Sequence, residues 1–143
     1  MINIKSAKEI EKIKTACKHT GTILNELCDF IKPGMTTKDV DEYIDKRIAD
    51  AGMTPTFKGY GGFPAAACIS VNEVVIHGIP GNRVINEGDI VSVDMGSTFQ
   101  GYVSDAARTY AVGKVSKEAE RLIEVAREGF FAALEYCRTG AKG

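Results

Sequence analysis

The sequence predicts an α+β fold in which α-helices cover an antiparallel β-sheet. Apolar residues recur at helical spacing near both ends of the chain, and β-branched runs with interleaved polar residues lie between them. Glycine-rich turns separate those runs. The elements follow in the order helix, helix, strands, hairpin, helix, which is typical of a sheet with helices packed on it. No linker or repeat interrupts the chain, so residues 1–143 are expected to form a single domain.

Two helices are predicted at the start of the chain. Ser6 and Glu9 have the spacing of a capping box, and Pro33 ends the first helix. A second helix is expected to begin at residue 36 or 37 and to end at Gly52. The positions predicted to face the core recur at helical spacing, and they are Ile10, Ile13, Cys17, Thr20, Leu24, Leu27 and Ile31 in the first helix and Val40, Tyr43, Ile44 and Ile48 in the second.

A third helix is predicted near the end of the chain. Ser116 suits its N-cap, and Glu118 and Glu120 suit the positive end of its dipole. Gly140 is expected to end it. The predicted apolar stripe comprises Leu122, Ile123, Ala126, Phe130, Ala133, Leu134 and Cys137.

Two short strand-like runs are predicted before the hairpin. Residues 68–72 have the composition of a strand, and residues 74–77 form a second apolar run that ends at His77, just before a turn. A histidine at a strand end can point its ring into a cleft, so His77 is a candidate site residue. A purely structural role for His77 is supported about equally by the residues alone.

Two aspartates lie in the predicted hairpin. Asp94 and Asp105 occur in the runs 90–95 and 102–112, on either side of the loop 96–101. Because residues equidistant from a hairpin turn face each other, the two should be opposite or nearly opposite on one sheet face. Close carboxylates in apolar surroundings require a shared proton or a bound cation. The alternative is a pair of surface aspartates, although aspartate is depleted in strands.

Residues 57–68 interleave aromatic residues with glycines and a proline. Glycine lets the backbone approach a ligand closely, and the aromatic side chains could line an apolar pocket. The equally supported alternative is that they close the core beneath a loop. No Gly-Lys-Ser or Gly-Lys-Thr follows, so a phosphate-binding loop is not expected. The candidate pocket residues are Phe57, Tyr60, Phe63 and Cys68.

The composition is that of a globular cytoplasmic protein. A net charge of −1 argues against a nucleic-acid partner or an anionic membrane surface. The first residues lack the apolar region of a signal peptide, and no apolar stretch is long enough to span a membrane. The four cysteines form no C-x-x-C pair, and buried thiols in a reducing cytosol are favoured over a disulfide.

These motifs resemble the signature of the type I methionine aminopeptidases. The resemblance is carried by NEVVIHGIP at residues 72–80, GDIVSVD at 88–94 and YVSDAARTY at 102–110, and it runs from about residue 5 to the C-terminus. The joint spacing of His77, Asp94 and Asp105 is its most specific part. The resemblance implies half of a pita-bread fold, in which two pseudo-symmetric halves each contribute two helices and an antiparallel hairpin.

The resemblance also implies an activity, namely the metal-dependent hydrolysis of the first peptide bond that removes methionine from nascent proteins and peptides. By position, Asp94 would bind one ion of a dinuclear centre, Asp105 would bridge both ions, and His77 would contact the substrate near the scissile bond. The ions would be Co, Mn, Fe or Zn, two in a complete site, and they would lower the pKa of a shared water. The methionine side chain would be held by Phe57, Tyr60, Phe63 and Cys68.

The family's remaining ligands are a histidine and two glutamates from a C-terminal half that this sequence lacks. The resemblance therefore implies fewer or more weakly bound metal ions here. Three explanations stay open: the N-terminal portion of a complete enzyme that pairs with its C-terminal half, a self-associating chain that brings four aspartates together, or a non-catalytic peptide- or partner-binding domain. Activity of the 143-residue chain alone stays open with them.

Overall fold

The computed structural model describes residues 3–141 and shows a four-stranded antiparallel sheet with helices packed against one face. The α+β architecture predicted from the sequence is confirmed. The elements in chain order are α1 (Ala7–Phe30), α2 (Thr37–Asp50), β1 (Thr54–Pro55), β2 (Ala67–Val71), β3 (Ile90–Phe99), β4 (Tyr102–Ala111) and α3 (Lys117–Leu134).

Both N-terminal helices begin at capping boxes. The Ser6 hydroxyl accepts a hydrogen bond from the backbone N–H of Glu9, and the Glu9 carboxylate accepts the N–H of Ser6 at 2.7 Å. Thr36 and Asp39 repeat this exchange at the start of α2. Each box satisfies donors that a helix N-terminus otherwise leaves without partners, so both predicted starts are confirmed.

Strand β3 lies at the centre of the sheet. Strand β4 pairs with it along its whole length, while β2 and β1 pair with residues 91–95 and 97–98 on its other edge. The β3–β4 connection is a two-residue turn of Gln100 and Gly101, with φ of 49° and 83°. Left-handed φ at both positions suits the tight turn that joins twisted strands. The loop is shorter than predicted because residues 96–99 continue the ladder.

The hydrophobic core fills the space between α1, α2 and one face of the sheet, which we call the closed face. Tyr110 is held there by a 2.6 Å hydrogen bond that its hydroxyl donates to the Leu24 carbonyl. The largest fully buried side chains include Leu27, Val40, Ile44, Ile48, Val71, Val91, Val93 and Met95. The register therefore turns the alternate residues of β3, including Asp94, to the other face.

The prediction of buried thiols is wrong for three of the four cysteines. Cys17, Cys28 and Cys137 are exposed and only Cys68 is buried, all as free thiols. The buried stripe of α1 passes through Ala16 rather than Cys17. Neighbouring helical residues point about 100° apart, so a stripe displaced by one position leaves the thiol in solvent.

The strand predicted over residues 74–77 is also wrong. Asn72 adopts φ of 53°, which turns the chain out of β2, and the following segment forms a loop. Val75 is 85% exposed and Ile76 is 65% exposed. Apolar composition alone does not separate a buried strand from an exposed loop.

Helix α3 begins at the predicted cap, where the Ser116 hydroxyl accepts the N–H of Ala119. It ends at Leu134 rather than Gly140, because three-residue turns at Tyr136 and Cys137 tighten the chain. None of its residues is buried by the described part of the chain, and its apolar stripe is exposed at Leu122, Val125, Phe130, Phe131 and Leu134. Across residues 3–141, no helix has both the length and the apolar composition to cross a bilayer.

Candidate metal and peptide site

The two aspartates lie on the same sheet face, which we call the open face because it lies opposite the helix-covered closed face. Asp94 pairs with Ala107 across the hairpin and Asp105 pairs with Gly96. Since Gly96 follows Asp94 by two residues on β3, the carboxylates are diagonal neighbours on one face. The predicted shared face is confirmed, and the short turn accounts for the diagonal offset.

The surroundings of Asp94 disfavour its charged form. Burial raises the pKa of Asp94 most, and the charge of Asp105 and a hydrogen bond between the two carboxyl groups raise it further. The nearby imidazole of His77 has the opposite effect and acts to lower that pKa. Among the described residues, Oδ1 of Asp94 is the buried side-chain oxygen without a hydrogen-bond partner. A buried, unpartnered carboxylate oxygen is costly unless a cation or proton meets it.

Cys68 borders Asp94 on the other side of β3. The two residues are register partners, and Cys68 is only 6% exposed. Burial first, and then the negative charges of Asp94, Asp105 and Asp41, raise the pKa of the Cys68 thiol. The thiol therefore stays protonated near neutral pH and acts as a small apolar wall rather than as a nucleophile.

Phe57 packs on the open face at a glycine that sequence reasoning did not single out. A Cβ built on Gly96 would lie 3.1 Å from Cε1 of the Phe57 ring and 2.7 Å from the Ser104 carbonyl oxygen. The missing side chain thus lets the ring lie against the strand, directly across from Asp105. A glycine inside a strand is itself the signal that could have identified this close approach.

The other two predicted pocket residues lie farther out. Tyr60 opens a short 3₁₀ turn and is 82% exposed, and Phe63 is half-buried at the end of that turn. Gly61 and Gly62 adopt left-handed φ of 57° and 84°, so they serve the turn itself. Phe57 and Cys68 thus lie beside the aspartates on the open face, whereas Tyr60 and Phe63 lie at the turn before β2, and a pocket formed by all four stays a prediction.

His77 reaches the site from an exposed loop with φ of 57°. The next residue, Gly78, accepts a hydrogen bond at 2.8 Å from the backbone N–H of Ile69 in β2. The imidazole of His77 is close enough to Asp94 to oppose the rise in the pKa of that residue. Across the described part of the chain, no group of three or more His, Cys, Asp or Glu residues could hold a metal ion. Asp94 and Asp105 both place a carboxylate on this face, and these two groups could hold a cation.

Comparison with known sequences identifies relatives of this chain. The family described as Metallopeptidase family M24 matches residues 11–143. The methionine aminopeptidase of Clostridium acetobutylicum is 52% identical over 136 residues, which is 94% of this chain and 54% of that protein. Methionine aminopeptidase 1 of Bacillus subtilis is 39% identical and is matched over 57% of its length. The chain spans about half the length of these curated relatives.

Comparison of structures agrees with the sequences. A crystal structure of methionine aminopeptidase from Thermotoga maritima superposes with a TM-score of 0.87 and 46% identity, covering 90% of this chain and 52% of that one. The corresponding enzyme of Rickettsia prowazekii also superposes with a TM-score of 0.87, at 34% identity. The sheet and its helices are therefore those of the pita-bread methionine aminopeptidases over about half of that fold. On sequence and structure together, this chain belongs to metallopeptidase family M24.

Proposed function

We propose that this chain contributes Asp94, Asp105 and His77 to the site of a methionine aminopeptidase, which hydrolyses the first peptide bond of chains that begin with methionine. The observation that carries the proposal is the buried, unpartnered Oδ1 of Asp94 beside the carboxyl group of Asp105. The matched relatives are methionine aminopeptidases, which supports the same activity.

The residues present fit a divalent cation. Asp94 and Asp105 offer carboxylate oxygens on one face, and hard divalent ions prefer oxygen donors. A cation between them would remove the repulsion that raises the pKa of Asp94 and would satisfy its Oδ1. When bound, such an ion supplies Lewis acidity, which polarises a peptide carbonyl and lowers the pKa of water. Mn, Co, Fe and Zn all remain suitable, and one or two ions per site are proposed.

The side chains around the aspartates would bind and orient the peptide. His77 is exposed and lies near Asp94, so its imidazole can hydrogen-bond the scissile group as negative charge develops there. Phe57 and the protonated thiol of Cys68 form an apolar wall beside the aspartates, and a polarisable wall suits a thioether side chain. Tyr60 and Phe63 would extend that wall, since both precede β2 on the glycine-rich segment.

The small number of metal-binding carboxylates favours a second candidate function. Within residues 3–141 the open face offers two carboxylates, fewer than the five ligands that the resemblance implies. The chain by itself would then bind methionine peptides or a protein partner without hydrolysis. Pairing with a C-terminal half, or with a second copy, would supply further donors. The net charge of −1 supports a cytoplasmic protein without a nucleic-acid or membrane partner.

Calorimetric titration with Mn²⁺ tests the proposed metal ligands. The wild-type chain is expected to bind one ion weakly, and Asp94→Asn or Asp105→Asn should weaken that binding at least about tenfold, since each removes a charged donor. Asp29→Asn, an exposed aspartate on α1, is the matched control and should leave the affinity unchanged. Equal affinity in all four proteins would contradict the assignment.

An aminopeptidase assay on a Met-Ala-Ser peptide separates the two functions. The 143-residue chain alone is expected to hydrolyse the peptide negligibly with added Mn²⁺ or Co²⁺, while still binding it. Robust hydrolysis by the isolated chain would instead favour self-association into a complete site, and size-exclusion chromatography would then show a dimer.

A further inference from the structure

The loop that carries His77 is mostly exposed and contains a residue with unfavourable backbone geometry. Residues 72–89 contain no helix and no strand of the sheet. His77 has a left-handed φ of 57°, which costs free energy for a residue with a side chain. Val75 and Ile79 are 85% and 65% exposed. A strained and exposed loop stays in place only where other parts of the molecule fix it.

Two of the contacts that fix this loop lie just after His77. At the first, the Gly78 N–H donates to Oγ of Ser70 at 3.1 Å, and the Gly78 carbonyl accepts the N–H of Ile69 at 2.8 Å. At the second, the Gly81 N–H donates to Oγ1 of Thr37 at 2.9 Å. The first contact directly follows the histidine, whereas the second lies four residues beyond it. The contact at Gly78 therefore has the more direct influence on the imidazole.

Gly78 lies in backbone contact with β2. A Cβ at this position would be 2.2 Å from the Ile69 carbonyl oxygen and 3.0 Å from Cα of Ser70, so only glycine fits. Ser70 is 4% exposed and follows Cys68 by two residues, which places both on the open face. A single strand thus presents the thiol next to Asp94 and a hydroxyl beneath the loop.

We propose that Ser70 is a positioning residue, whose hydroxyl fixes Gly78 and thereby sets where the imidazole of His77 stands relative to Asp94. The importance of this position for peptide binding rests on the proposed function of His77. The register of β2 with β3 explains why Ser70 suits the task, since it aligns Cys68 with Asp94 and carries the loop contact on the same strand.

Amide hydrogen exchange followed by NMR tests the contact itself. In Ser70→Ala, the Gly78 amide should exchange at least about fivefold faster, because its acceptor is removed, and the His77 ring signals should move toward those of an unstructured peptide. Ser92→Ala is the matched control: Ser92 is the register partner of Ser70, and its hydroxyl bonds with Thr109 instead of the loop. Unchanged Gly78 exchange and ring signals in Ser70→Ala, or equal changes in both variants, would overturn the proposal.

Binding of a Met-Ala-Ser peptide in the presence of Mn²⁺ shows whether Ser70 acts through the histidine. Ser70→Ala is expected to weaken binding about fivefold, and the double variant with His77→Ala should bind no more weakly than His77→Ala alone. Fully additive losses would contradict the proposal, because Ser70 would then act independently of His77. If His77→Ala leaves affinity unchanged, the proposed function of His77 fails, and the Gly78 exchange rates and ring signals still decide whether Ser70 fixes the loop.

Gly78→Ala provides a second variant if Ser70→Ala destabilises the buried strand. The added Cβ would collide with the Ile69 carbonyl and should displace the loop, while no residue of β2 is substituted. Its peptide affinity should fall at least as much as that of Ser70→Ala, with a far-UV circular dichroism spectrum like that of the wild type. Wild-type affinity in a folded Gly78→Ala protein would overturn the proposal.

Discussion

The two faces of the β3–β4 hairpin differ in the elements that pack on them and in their residue types. On the closed face, Val91, Val93 and Met95 are fully buried beneath α1 and α2. On the open face, Asp105 and Ala107 are exposed, and Asp94 is half-buried with an unpartnered oxygen. The closed face gains stability by removing apolar area from water. The open face instead brings two carboxylates together, and burial of Asp94 beside Asp105 raises the pKa of Asp94. One strand pair thus carries two faces with opposite effects on stability.

The polar groups on the two faces differ in the same way. Thr20, Ser97 and Ser104 form a buried hydroxyl cluster on the closed face, with oxygen–oxygen distances of 2.6, 2.8 and 3.0 Å. Each hydroxyl has a partner, so the cluster joins α1 to the hairpin without leaving a polar group unsatisfied. Oδ1 of Asp94 on the open face has no such partner among the described residues.

The largest effect is expected in the core beneath the closed face. Leu27→Ala should lower the free energy of unfolding by about 2–5 kcal/mol, since Leu27 is fully buried and its truncation leaves a cavity. Ala107→Ser on the open face should change it by less than about 0.5 kcal/mol. Urea unfolding followed by circular dichroism measures both variants, and comparable losses would remove the distinction between the faces.

A smaller effect is expected from the hydroxyl cluster. Thr20→Val keeps the side-chain shape but removes the oxygen that contacts Ser97 and Ser104, so it should cost about 1–3 kcal/mol in unfolding free energy. The control is Thr22→Val on the exposed side of α1, where the hydroxyl meets only the Lys18 carbonyl. A loss in Thr20→Val no larger than in Thr22→Val would mean that the cluster contributes little.

On the open face, removing a charge should stabilise the protein. Asp94→Asn eliminates the repulsion with Asp105 and supplies an amide donor, so the metal-free chain should gain about 1 kcal/mol in unfolding free energy near neutral pH. Thermal unfolding in the presence of a chelator measures this gain. A destabilised Asp94→Asn protein would indicate that the open face is built for stability after all.

The smallest effect concerns pH and the start of α1. Hydrogen bonds from the Ser6 side chain and backbone, and then from Tyr102, lower the pKa of Glu9 to about 2. Because the folded-state pKa lies below the ordinary value of 4.5, the stabilisation is present above pH 4.5 and is lost as the pH falls toward 2. Glu9→Gln should therefore reduce the loss of melting temperature between pH 6 and pH 3. Identical pH profiles would contradict this account.

Local patterns predicted more of the fold than of the site. A capping box predicted the start of α1, and helical periodicity predicted both α1 and α2, since these signals lie within a few residues of each other. The shared face of Asp94 and Asp105 followed from their near-symmetric spacing about the hairpin turn together with strand alternation. The register did not, because a two-residue turn at Gln100 and Gly101 shifts the pairing so that Asp105 meets Gly96.

The missed features depend on contacts between distant parts of the chain. The close approach of Phe57 to Gly96, and of Gly78 to Ile69, joins segments whose spacing carries no local pattern. The exposure of Cys17 and of residues 74–77 likewise depends on which side of an element meets the core. Residue type, spacing and the family resemblance made His77 and the aspartates candidates, whereas the contacts around them are visible only in the packed strands.

Helix α3 is expected to be locally less stable than the rest of the described chain. It has 18 residues, and its apolar side chains, including Phe130 and Leu134, stay largely exposed on the described part of the chain. In proteins, most of the stability of a helix comes from packing its apolar face against a tertiary partner. Over residues 3–141, the backbone amides of α3 should therefore exchange with solvent faster than those of the buried strands.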